Sequence, residues 1–232
     1  MRAGAAATRN SRARSRRRRE RRPVRCAFYA FPIALLAVIA FSIYSAAAGA
    51  ITLVDGTAWS SIALSLLFPS MVFAYLLAKG NTLKGITDQL GLSRKRFAVK
   101  YVGAGILVFL SVLAVEFGIG AFEAATGISL PTNVQQALAG VPLYFLLFSF
   151  LVAPIDEEIL FRGFLVPRIG IAASSAIFAA VHYISYFSIS EVIAAFLFGL
   201  VSGYVFKRTR SLYPSVIGHA LVNALGLAAA FL

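Results

Sequence analysis

Seven stretches of this chain stay apolar for about 20 residues, the length an α-helix needs to cross a bilayer. They fall near residues 27–51, 58–78, 99–121, 141–161, 169–187, 190–206 and 212–231. Such a chain has few folds open to it. Inside lipid every backbone N–H and C=O must be paired within the protein, which leaves helices or a closed barrel. Runs this long and continuous favour helices. The expected fold class is therefore all-α: a polytopic transmembrane helix bundle of about seven spans. Composition agrees, with 59% of residues hydrophobic and 13% charged, where soluble domains have about half and about a quarter. The chain is expected to be an integral membrane protein. Cys26 is the only cysteine, which excludes a disulfide framework and a CxxC site.

The formal net charge of +13 mostly describes one end of the chain. Residues 1–26 carry eleven arginines against one acid. With no apolar periodicity and with like charges repelling, this segment is expected to be a disordered basic tail. It abuts a hydrophobic run, so its expected role is to stay in the cytoplasm and attract anionic lipids; no nucleic-acid partner is expected. The basic region is long for a cleaved signal peptide and no convincing cleavage site follows it, so the first span is expected to stay attached. Cys26 reads as a small residue at a helix start.

Basic residues also set the expected orientation. Lys79, Lys84, Arg94, Lys95, Arg96, Lys100, Arg162, Arg168, Lys207, Arg208 and Arg210 all fall in gaps that share the side of the N-terminus. The opposite gaps carry Asp55, Glu123 and Glu191 and no lysine or arginine. A cytoplasmic N-terminus and an outside C-terminus follow. Residues 27–140 then form an N-terminal transmembrane region. Within it, "NTLKGITDQLGLSRKRFA" near 80–97 is expected to lie on the cytoplasmic surface as an amphipathic segment, with Leu83, Ile86, Leu90 and Phe97 roughly on one face. A loop folded on itself would give much the same pattern.

The segment "PIDEEILFRGF", residues 154–164, is the conspicuous exception to apolarity. Each acid or base at the centre of a span costs about 2.5–3.5 kcal/mol on insertion scales, so Asp156, Glu157, Glu158 and Arg162 must face a partner or a wet cavity. Glu158 and Arg162 stand four apart, share a helix face and can neutralise each other. Glu157 lies about 100° further round, beside that pair but outside it. A carboxylate left free in a dry site is the kind of group that serves as a general base or acid. Capping of a span's cytoplasmic end would also explain the charges: with a break at Pro154, Asp156 would begin a new helix.

The only two histidines, His182 in "FAAVHY" and His219 in "IGHALVNAL", favour a site over a cap. Both are intramembrane. Phe178 precedes His182 by four, and Asn223 follows His219 by four. Counted at about 1.5 Å per residue from the cytoplasmic ends of their spans, Glu157 and His219 fall about 6–12 Å deep and His182 and Asn223 about 18–20 Å deep. The difference is about one side chain's reach, so residues from three spans can meet in one site.

"EEILFRG", "FAAVH" and "HALVN" reproduce, in order, the EExxxR, FxxxH and HxxxN motifs of the CPBP family, and the chain resembles that family over roughly residues 141–226. These are CAAX-processing and bacteriocin-processing (ABI) proteins, a group of intramembrane proteases. The resemblance implies a CAAX-protease-like bundle with a cavity open to the cytoplasm. It implies that Glu157 and His182 activate a water, that His219 and Asn223 stabilise the oxyanion, and that Glu158 and Arg162 orient and neutralise the site. Residues 141–226 would then be the catalytic core, with 227–232 closing the last span.

Glu157, His182 and His219 are also the right types for a three-ligand zinc site with an open position. No HExxH is present, and Glu158, the remaining base, would be contested by Arg162. A metal-free glutamate mechanism uses only residues that are present and is the preferred expectation, with no cofactor. The expected function is an intramembrane endopeptidase acting on a membrane-associated protein or peptide near the cytoplasmic face. Compact size and an Ala/Arg-rich composition point to a bacterial cell membrane. Two alternatives belong to other classes. One is a non-catalytic scaffold or immunity protein that keeps the fold. The other, a proton-coupled transporter, explains buried acids but not the third motif, and no inverted repeat is visible.

Overall fold

The computed structural model describes residues 54–130 and 140–230. The tail 1–26, the first expected span 27–51 and Cys26 lie outside the described residues. Within them the fold is an all-helical membrane bundle, as the apolar runs require. Among the described residues, three helices are long and apolar enough to cross a bilayer, through windows at Ser61–Ala78, Lys100–Thr126 and Ile189–Thr209.

The first helix, α1 (Val54–Ala78), turns Phe68, Val72 and Leu76 into the core at spacings of four. Thr82 then caps α2 (Leu83–Gln89), its hydroxyl accepting from the Gly85 N–H at 3.1 Å. Here the four residues expected on one face part company. Ile86 and Leu90 are fully buried in the core, while Leu83 is 61% exposed and Phe97 47% exposed. The segment folds back onto the bundle because its apolar pair has a partner there: Leu90 packs against Gly163. Hydrogen bonds fix the loop to the last interhelical turn. Leu212 N–H donates to Gly91 O at 3.0 Å, Ser211 Oγ to Arg96 O at 2.8 Å and Tyr213 Oη to Leu92 O at 2.9 Å. Gly91 has φ +78°, and a Cβ there would sit 2.9 Å from Arg210 O, so only glycine fits. Two basic gaps expected on one side of the membrane thus touch.

The long α3 (Lys100–Thr126) packs along α9 (Tyr213–Ala230), and α7 (Ile171–Tyr186) along α8 (Ile189–Thr209); these are the most extensive contacts in the bundle. The second pair approaches at Gly199, where a Cβ would stand 2.7 Å from the Cβ of Ser175. Small residues at a crossing let backbones close up where lipid supplies no hydrophobic drive.

The expected fourth span, 141–161, is not one helix. It divides into α4 (Leu143–Leu151) and α5 (Ala153–Glu158), with Val152 between them and Pro154 in the first turn of α5. Proline has no N–H and closes the gap poorly in a helix interior but well at a helix start. Nor does the helical path end at 161. It continues as a π-helical segment, Ile159–Leu165, and then α6 (Val166–Ile169), stopping at Gly170. The fifth expected span, 169–187, is realised as the 16-residue α7, about 24 Å at the α-helical rise and so shorter than a straight crossing.

Candidate active site

The EExxxR motif straddles the junction between α5 and the π segment. A π turn is wider than an α turn and often marks a functional site. The whole stretch Glu158–Val166 is buried, so its two charged members, Glu158 and Arg162, have no solvent to turn to. Glu158 is 0% and Arg162 1% exposed, and Arg162 Nη1 lies 3.1 Å from Glu158 Oε1. The expected pair is formed and fully enclosed. Its contact is close but poorly aligned as a hydrogen bond, for both terminal nitrogens of Arg162 lack a hydrogen-bond partner among the described residues. Attraction between charges, strengthened by the dry surroundings, holds the pair. The guanidinium carbon lies 4.2 Å from the ring centre of Phe178 and 4.8 Å from that of Phe198, so aromatic faces supply further attraction.

Glu158 has a second partner that spacing alone did not show. His219 Nδ1 lies 3.0 Å from Glu158 Oε1, so one carboxylate oxygen serves both the arginine and the histidine. A carboxylate only accepts, which puts the ring proton on Nδ1. The other nitrogen, His219 Nε2, lies 3.9 Å from Glu157 Oε2. That oxygen has no hydrogen-bond partner among the described residues, as expected of a carboxylate outside the ion pair.

From α7, His182 directs Nδ1 at the carbonyl of Phe178, 3.1 Å away, which leaves Nε2 for the site. The ligand-type atoms of Glu157, His182 and His219 all lie within 4.8 Å of one another. Three helices far apart in the chain therefore converge on one point. Phe178 is the spacer, its ring 4.2 Å from that of His182 and 5.8 Å from that of His219.

Five of the six expected site residues meet in this way. Asn223 stands one turn beyond His219, and its Nδ2 donates to Ser149 O at 2.8 Å. That carbonyl lies in the last turn of α4, near the break at Val152, so the amide joins α9 to the broken span. One of its two N–H bonds is engaged there. Sequence spacing missed two serine contacts to the charged residues. Asp156, 5% exposed, accepts from Ser65 Oγ of α1 at 3.1 Å. Ser202 of α8, wholly buried, accepts from Arg162 Nε at 2.8 Å. Serine in a membrane helix is too common to mark either contact in advance.

Enclosed carboxylates, two imidazoles with inward nitrogens and a neutralising arginine make a site suited to moving protons or holding a cation. Comparison with known proteins agrees with the resemblance carried by the three motifs. Residues 139–225 match the family model described as type II CAAX prenyl endopeptidase Rce1-like. The segment holding all three motifs is thus a domain of CAAX-protease type, and the protein is a membrane protein carrying it. No curated protein and no solved structure matches the chain.

Proposed function

We propose that the protein is an intramembrane endopeptidase that hydrolyses a peptide bond of a membrane-associated protein or peptide near the cytoplasmic face. The observation that carries this is the meeting of Glu157, His182 and His219 within 4.8 Å inside a domain of CAAX-protease type. In this reading Glu157 takes a proton from a water held between it and His182. The water oxygen bonds to the scissile carbonyl carbon as the C=O π pair moves onto oxygen. Collapse of that intermediate breaks the C–N bond, and Glu157 returns the proton to the leaving nitrogen. His219, and the N–H of Asn223 not engaged by Ser149, face the oxyanion. With Nδ1–H turned to Glu158, His219 donates from Nε2 only when it carries both ring protons. Glu158 holds that ring through Nδ1, and Arg162 balances Glu158.

A second reading is favoured by one observation. Both imidazoles are oriented through Nδ1 by an acceptor, Glu158 for His219 and the Phe178 carbonyl for His182, as in metal-binding histidines. Glu157, His182 and His219 would then hold a zinc ion, which supplies Lewis-acid polarisation and an activated water. In that case His219 Nε2 is an unprotonated ligand.

The test compares new protein N-termini in cell membranes carrying the wild type or Glu157→Gln. Termini that appear only with the wild type, and again when purified protein and substrate share a liposome, support the protease. A membrane phenotype that persists unchanged in Glu157→Gln, with no cleavage by either protein, replaces it with a scaffold or immunity role.

A further inference from the structure

Arg162 carries one hydrogen bond of sound geometry among the described residues, and it is not to an acid of its own motif. Its Nε donates to Ser202 Oγ on α8 at 2.8 Å, while its terminal nitrogens meet Glu158 by charge and the phenylalanines by their faces. Ion pairing and ring stacking tolerate rotation of the guanidinium plane. A hydrogen bond from Nε, the atom at the pivot, does not.

Ser202 is itself oriented. Its hydroxyl proton goes to Phe198 O at 2.7 Å, so the oxygen has only lone pairs to offer Arg162. Its backbone carbonyl accepts from Ser215 Oγ of α9 at 3.3 Å, one turn before His219. Ser202 thus lies where α8, α9 and the π segment meet, with 0% exposure. A polar chain runs from it: Ser202 holds Arg162, Arg162 balances Glu158, Glu158 accepts from His219 Nδ1, and His219 Nε2 faces Glu157.

We infer that Ser202, which lies in none of the three motifs, is a positioning residue: through Arg162 and Glu158 it fixes the ring of His219 against Glu157. The inference rests on the proteolytic reading for its kinetic consequence, but not for its structural one. Groups that orient a site residue from behind typically change activity about 10–100-fold when removed.

The experiment uses the full chain in detergent with ¹⁵N-labelled histidine. Only two rings are present, so each signal is assigned by a single substitution of the other histidine. Ser202→Ala is expected to move the His219 ring resonances and leave those of His182 in place. It should lower kcat about tenfold with KM unchanged. Ser202→Thr, which keeps the hydroxyl and its bond to the Phe198 carbonyl, should restore both. Ser175→Ala is the control: it removes a buried hydroxyl on the neighbouring α7, one bonded to Ile171 O of its own helix. Unmoved His219 resonances in Ser202→Ala overturn the inference, as does an equal loss in Ser175→Ala. If the wild type cleaves nothing, the proteolytic reading falls, and the His219 resonances still decide whether Ser202 orients the ring.

Discussion

At the scale of single residues, the molecule separates groups that keep the fold from groups that do chemistry. Removing Arg162 leaves Glu158 as an uncompensated charge in a site with no exposure, and breaking a buried pair of this kind typically costs about 3–5 kcal/mol. Arg162→Ala should therefore lose thermal stability and folded yield together. Glu157 belongs to no such pair, so Glu157→Gln should melt near the wild type and yet be inactive. Equal melting of the two variants in detergent would show that the pair does not hold the site. His219 divides the two mechanisms. As an oxyanion donor its loss costs about 2.7–4 kcal/mol of transition-state stabilisation and leaves a slow enzyme. As a metal ligand, its loss also removes metal. Stoichiometric zinc in purified wild type, absent from both His182→Ala and His219→Ala, would decide for the zinc site, while activity that persists through prolonged chelation would decide against it. The residues of the three motifs were legible because helical spacing and rarity mark them: four apart for Glu158 and Arg162, and two histidines in the whole chain. Ser202 and Ser65 were not, since a serine that bonds within its own helix and one that reaches across look alike in a sequence.

At the scale of elements, apolar length was a good guide to helices and a poor one to their breaks. Hydropathy averages over about 20 residues, whereas the break at Val152, the π segment at Ile159–Leu165 and the stop at Gly170 are events of one or two residues. Pro154 was visible as a breaker; the wide turn after it has no marker in composition. The segment at 80–97 shows the same limit from the other side. Its apolar pattern was real, but a pattern does not say whether the face meets lipid or protein, and Leu90 meets Gly163. Close helix crossings offer a sharper test. A Cβ at position 199 would stand 2.7 Å from the Cβ of Ser175, so Gly199→Val should part α7 from α8 and destabilise by about 1–3 kcal/mol, as overpacking does. Thermal unfolding in detergent measures it, and since α7 carries His182, activity should fall with it.

At the scale of the whole molecule, the sequence spoke through the sidedness of its charges. The loop at Gly91–Arg96 and the turn at Arg210–Leu212 were expected on one face, and they are hydrogen-bonded to each other. The expected topology places both in the cytoplasm and the C-terminus outside. In a Cys26→Ser background, a cysteine at Lys95 should react with an impermeant thiol reagent only after the membrane is opened, and one added at the C-terminus should react in intact cells. Labelling of both from one side would overturn the seven-span arrangement. One consequence follows from the wide turn at Ile159–Leu165 itself. It inserts slack into a rod, like an extra thread on a screw, so the two ends of that rod are clocked separately. Above the turn Glu157 and Glu158 face the histidines, while Arg168 below it lies over the ring of Phe164 at 3.7 Å. Deleting a single residue within the turn would lock both ends to one clock, and whichever end kept its aim, the other would lose it.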